Sequence, residues 1–317
     1  MDLYRSIRAV SRASGPEPID WEAVREAAHA ATGPGSIALD ETDRTGYRDD
    51  VRAARAGVRS VSGIDFDLPP TFQVHNRHHW IDANIETFER MLAPIAERRS
   101  VIVPDVARVL NTGSMTVTVS FLARHVLGQY DPLLLTDEPD HGLYFVHPNV
   151  VRVADELDVP FDRFRRWIAF HEVAHAAEFG AAPWLPEQLE THLHEMMDAL
   201  AAGRIDRETF RELDATMTAV EGYAELLMDE AFDQRYDDLR DRIEQRRRNR
   251  GPIGSILRRL LGLGIKRRQY ERGKAFFDAV RAERGIEATA RVWDDPDNLP
   301  RWDEYDAPEE WIARVDP

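Results

Sequence analysis

The sequence predicts a mainly α-helical protein with at most a small β element. Three observations carry that expectation. Apolar residues recur at helical spacing through most of the chain, and only one stretch is bounded the way a strand should be. The most distinctive motif, His171-Glu172-Val173-Ala174-His175, lies inside a helical stretch.

The elements follow in order. Trp21 to Ala31 comes after Asp20, a residue type suited to cap a helix, and stops before Gly33-Pro34-Gly35. A second helix is predicted from about Glu41 to Arg59. A third, from about His78 to Arg98, places Trp80, Ile81, Ile85, Phe88, Met91 and Leu92 near one face. His75, His78 and His79 cluster at its start without acids at ligand spacing, which points to a structural role. Met115 to Phe121 alternates like a strand but runs without a breaker into a helical pattern through Leu127, and the pattern leaves it open. Leu143 to His147 is the clearest strand, bounded by Asp140-His141-Gly142 and Pro148-Asn149. Asn149 is expected to cap a short helix ending near Val159-Pro160. The motif helix then runs from about Phe161 to Gly180, before Pro183-Trp184-Leu185-Pro186. Helices at about 186–201, 206–233 and 266–284 follow. A tryptophan-rich tail, with Trp293, Trp302 and Trp311, is expected to pack onto the body. Without a repeat or low-complexity linker, the chain reads as one helical domain over 1–317. Its N-terminal helical part is 1–100, and 101–317 holds the motif and the C-terminal helices.

Composition excludes several classes of function. There is no cysteine among 317 residues, hence no disulfide framework, thiol nucleophile or thiolate metal site. The start Met1-Asp2-Leu3-Tyr4-Arg5 lacks a signal-peptide core, and the longest uncharged run, Val109 to Ala123, is short and polar for a membrane span. A cytoplasmic protein with no membrane partner is expected. The net charge is −16, and Lys266 and Lys274 are the only lysines. Abundant acid with scarce lysine predicts a halophilic surface, kept hydrated by carboxylates while salt screens their repulsion; the alternative is an ordinary acidic protein from a GC-rich genome, which also favours Arg over Lys. Binding to nucleic acid is not expected, because it needs a basic footprint. The one basic block, Arg246-Arg247-Arg248-Asn249-Arg250, reads as the solvated end of a helix.

The motif sets the chemistry. His171 and His175 are four residues apart and share a helix face, so both can reach one metal ion. Glu172 stands beside them as a general base for a water bound to that metal. Apolar neighbours such as Ile168, Phe170, Val173 and Ala174 predict a mostly buried helix, where histidines need partners. One zinc ion would satisfy both. A catalytic zinc keeps three protein ligands and one open position. The metzincin continuation fails, because positions 178 and 181 hold Glu178 and Ala181. Two glutamates compete for third ligand. Glu195 has the spacing of a compact thermolysin-like site. Glu221 has Glu225 one turn later, suited to orient a ligating imidazole, and Gly222 beside it, suited to close approach of the motif helix. Spacing and context favour Glu221.

Taken together, the motifs resemble a family of zincin-like zinc-dependent metallopeptidases and hydrolases, some associated with biosynthesis of the deazaflavin redox coenzyme. The resemblance runs from Val126-Leu127-Gly128-Gln129-Tyr130-Asp131 through Val146-His147-Pro148-Asn149-Val150 to the motif itself. It continues in Pro183-Trp184-Leu185 and Glu221-Gly222-Tyr223-Ala224-Glu225. The C-terminal part matches from Lys266 to Gly273, then at Val292-Trp293 and Asn298-Leu299-Pro300. It implies a zincin-like multi-helix domain, a helical reading for Met115 to Leu127, and Glu221 as third ligand, the gluzincin arrangement. It also draws attention to Lys266 and Tyr270 as groups near developing negative charge. In zincins a strand before the metal helix often pairs with an extended substrate, which would let His147 line the cleft. The function expected is hydrolysis of a peptide or small amide. The alternative is a zinc-stabilised binding or assembly protein linked to coenzyme biosynthesis.

Overall fold

Side-chain carboxylates open the first three helices. Asp2, Asp20 and Asp40 accept hydrogen bonds from the backbone N–H groups of Arg5 (3.0 Å), Ala23 (2.9 Å) and Asp43 (2.7 Å). These bonds satisfy donors that a helix start leaves unpaired. They begin α1 (Leu3–Ser11), α2 (Trp21–Ala31) and α3 (Glu41–Ser62). The α3 helix ends on Gly63, whose φ of 69° reverses the chain. The computed structural model describes residues 2–69, 71–98, 104–131, 142–202, 207–231, 238–239, 242 and 263–317, with backbone alone at 94–98, 104, 131, 200–201 and 263–270. The basic block at 246–250 lies outside the described residues.

The chain divides into two compact units, each drawn from separate stretches. One comprises Met1–Ala38, Thr71–Arg152 and Leu193–Asp206. Its core joins Val24 and Ala28 of α2, Trp80, Ile81 and Ile85 of α4 (Arg77–Arg98), and Val119 and Ala123 of α5 (Pro104–His125). The segment from Met115 is therefore helix. Its β-branched residues serve helix packing, because Val119 faces the core while Val117 stays exposed. A polar network is threaded into this core. Trp80 Nε1 donates to Gln129 Oε1 (2.8 Å), Gln129 Nε2 donates to Asn84 Oδ1 (3.1 Å), and Asn84 Nδ2 donates to the Trp80 carbonyl (2.8 Å).

The β element is a three-stranded sheet of β1 (Gln73–His75), β2 (Gly128–Asp131) and β3 (Gly142–Val146), in the order β1-β3-β2. β1 runs parallel to β3, with Gln73 opposite Tyr144, and β2 runs antiparallel, with Gly128 opposite Phe145. The clearest strand of the sequence is thus the central one. Its backbone is paired on both sides, so it has no free edge to receive an extended substrate. The strand passes directly into α6 (His147–Leu157), so Asn149 lies within the first turn rather than at the cap. It is fully buried. Its Nδ2 donates to the carbonyls of Ala123 (2.8 Å) and Val126 (2.6 Å), and its Oδ1 accepts from Arg77 Nε (2.7 Å).

The other unit comprises Leu39–Pro70, Val153–His192 and Arg207–Pro317. Here α3 packs on α7 (Phe161–Ala181), and both pack on α9 (Arg207–Ala231). The α8 helix (Leu185–Ala201) lies between α7 and α9 in sequence. Arg165 of α7 ties it to α3, with Nε donating to Asp50 Oδ2 at 2.7 Å and both side chains about 10% exposed. Gly46 and Gly57 of α3 leave room for Arg165 and Phe170, which a Cβ at either glycine would crowd. On its other side α9 packs against α10 (Leu263–Arg284). There Gly222 meets Gly273 backbone to backbone, so it opens the way to α10 and not to the motif helix. The tail is anchored as its tryptophans suggest. Trp293 and Trp311 are fully buried, and Tyr305 donates to the Ala215 carbonyl of α9 at 2.6 Å. No described helix is long and apolar enough to cross a membrane.

A Cβ at Gly222 would run into the Gly273 backbone, and one at Gly273 into the Thr218 carbonyl. Neither backbone can swing aside as a side chain does. Gly222→Ala and Gly273→Ala are each expected to lower unfolding stability by at least about 1–3 kcal/mol, measured by urea denaturation.

Candidate metal centre

The α7 helix follows Pro160 and carries Asp162 in its first turn. Beyond that turn it is buried nearly all round: Ile168, Ala169, Phe170, Val173, Ala174, Ala176 and Ala177 are at most 2% exposed. Small residues at 174 and 177 let neighbouring helices come close, and the polar groups of the motif enter the interior with them. His171 and His175 stand one turn apart, ring centroids 4.7 Å apart and planes at 74°. Trp167, one turn earlier, lies parallel to the His171 ring at 5.6 Å.

Across from them, Glu221 projects from the middle of α9. One ligand atom from each of His171, His175 and Glu221 lies within 4.8 Å of the other two. The His175 Nε2 is 4.0 Å from a Glu221 carboxylate oxygen. Donor atoms of a tetrahedral zinc stand roughly 3.3–3.5 Å apart, so the group would need to contract by about an ångström. Two neutral imidazoles and a carboxylate are a donor set that zinc accepts. Glu172 is buried on the same helix, 7% exposed.

One residue of this centre was not foreseen. Glu178 is fully buried, and its carboxylate accepts a hydrogen bond from His175 Nδ1 at 2.9 Å. The signal was present, since 175 and 178 are i and i+3 neighbours on one helix face. The electrostatics follow from crowding carboxylates around one imidazole. Burial works against the charged form of His175. The carboxylates of Glu178, Glu221 and Glu172 outweigh it, raising the imidazole to about 9. Burial likewise pushes Glu178 up, to about 7, against the pull of His175.

The remaining candidates fall elsewhere. Glu195 is exposed on α8 and stands outside the converged group. Glu225 is half-buried on α9, one turn past Glu221. His147 is buried at the start of α6, in the unit that holds the sheet. Lys266 and Tyr270 fall on α10, and their side chains lie outside the described residues. His78 accounts for itself structurally, its Nε2 lying 2.6 Å from the Thr32 carbonyl.

No curated protein matches the chain significantly. A crystal structure from Chloroflexus aurantiacus, provisionally described as a hydrolase with a novel fold, is similar at 33% identity and a TM-score of 0.77. The similarity covers 94% of this chain and 99% of that one. The family of zincin-like metallopeptidases matches residues 19–204 and 200–312, nearly the whole length. With its helical architecture, its small sheet and the His171, His175 and Glu221 cluster, the chain belongs to the zincin-like metallopeptidase family.

Proposed function

We propose that this protein is a zinc-dependent hydrolase acting on a peptide or small amide, with one zinc ion held by His171, His175 and Glu221. The observation that carries the reading is the donor count at the converged group. Among the described residues it comprises two imidazoles and one carboxylate, which leaves the fourth position of a tetrahedral ion for substrate or water. A structural zinc site takes four protein donors. That count favours turnover over a zinc-stabilised assembly protein.

Zinc, when bound, supplies Lewis-acid polarisation of a carbonyl and acidifies water. The protein supplies the rest. Glu172, one residue from His171, takes the proton of the attacking water and returns it to the leaving nitrogen. Its burial limits competing hydration of the carboxylate. Trp167, stacked on His171, restricts rotation of that ring and so helps fix the direction of its lone pair.

The decisive measurement is zinc content by elemental analysis, read together with turnover of a peptide library. Wild-type protein is expected to hold about one zinc per chain, and His171→Ala to lose it. Glu172→Gln should keep the metal and lose about 10²–10⁴-fold in hydrolysis. Full zinc retention by His171→Ala overturns the ligand assignment. Undiminished turnover by Glu172→Gln overturns the mechanism.

A pH dependence follows from His175. Its raised value means that the metal-free fold keeps this proton at neutral pH. The associated stability is complete below about 6.5 and is lost as pH rises through about 9. Binding of zinc through His175 would require the loss of the same proton. Zinc affinity is therefore expected to tighten between pH 7 and 9, by up to about tenfold per unit, in chelator-competition titrations.

A further inference from the structure

We infer that Glu178 is the positioning residue of the metal centre: it holds His175 in the tautomer whose Nε2 faces Glu221, and its carboxylate contributes to drawing a cation into the site. The inference rests on the zinc-site reading above and adds a residue to it. In its carboxylate form Glu178 has no proton to give, so the 2.9 Å contact then makes His175 Nδ1 the donor. In a neutral imidazole the lone pair then belongs to Nε2, the atom 4.0 Å from Glu221.

Glu178 and His175 both lie on α7, three residues apart, so their hydrogen bond is internal to that helix, while the same carboxylate also meets the backbone of Ala224 on α9. The helix would form equally well with alanine at 178, as it does at Ala174, Ala176 and Ala177. A carboxylate with no exposure is costly to bury, by several kcal/mol after relaxation. What the charge offers is orientation of a ligand and partial neutralisation of a divalent ion. Glu178 and Glu221 together carry two negative charges to meet the two positive charges of zinc. A buried centre of that composition is neutral, with Glu172 left to handle protons.

The experiment compares zinc dissociation constants, by chelator competition at fixed pH, for wild-type protein, Glu178→Gln and Glu178→Asp. Gln is nearly isosteric but uncharged. It is expected to weaken zinc about 10–100-fold, and Asp to recover part of the loss. Nitrogen-15 imidazole shifts of wild-type His175 provide a reading that does not depend on the variants folding. They should report Nδ1 protonated and Nε2 ligated in the zinc-loaded protein. An unchanged zinc constant in Glu178→Gln, or ligation through Nδ1, overturns this inference while leaving the zinc site standing. Absence of stoichiometric zinc from wild-type protein overturns both.

Discussion

A charge taken out of water must be met by an opposite charge, and the α7 helix is where this chain confronts that constraint. α7 is packed by α3 on one side and α9 on another, yet it carries Arg165, Glu172, His175 and Glu178 into the interior. Each side resolves the problem differently. Toward α3, Arg165 meets Asp50 at 2.7 Å, with Arg166 3.6 Å from the second carboxylate oxygen. Removing one partner of such a pair typically costs about 3–5 kcal/mol, so it holds the two helices in register. Toward α9, burial works against the charge of His175, and the carboxylates of Glu178, Glu221 and Glu172 outweigh it.

The two sides are linked through helix separation. Gly46 and Gly57 admit Arg165 and Phe170 against α3, while Ala174 and Ala177 keep the opposite side of α7 slim. On α9, Gly222 settles directly onto Gly273 of α10, which fixes the depth at which the next residue back, Glu221, reaches toward α7. The tail contributes to the same end. Tyr305 bonds the Ala215 carbonyl, and the buried Trp293 packs against Tyr223, two residues beyond Glu221. The position of one carboxylate thus depends on contacts spread over nearly a hundred residues of sequence.

Much of the scaffold was legible because its determinants are local. Asp20 followed by an amphipathic run marks α2 to the residue, and Phe161 marks the start of α7, directly after Pro160. Local pattern stops short where neighbours decide. Met115 to Phe121 alternates like a strand and its pattern leaves the choice open; it is helix, as the resemblance implies, with Val119 buried in the core and Val117 outside. Asn149 has the side chain of a cap, yet the carbonyls of Ala123 and Val126 and the guanidinium of Arg77 claim it first. Position 178 lacks the metzincin glycine, and the burial of the acid it holds against His175 comes from the neighbouring helices and not from local sequence.

By itself the sequence determined that His171 and His175 share a helix face with Glu172 beside them, because a 3.6-residue period follows from backbone hydrogen bonding within the helix. It also determined that no thiolate ligand takes part. Only the tertiary structure decided that Glu221 comes within 4.8 Å of both histidines while Glu195 stays exposed. It alone showed that Glu178 is fully buried with a carboxylate oxygen 2.9 Å from His175 Nδ1. The physical reason is the same in both cases. Spacing along a helix is carried by covalent geometry, whereas which helices meet, and at what depth, is settled by glycine contacts and by the cost of burying charge.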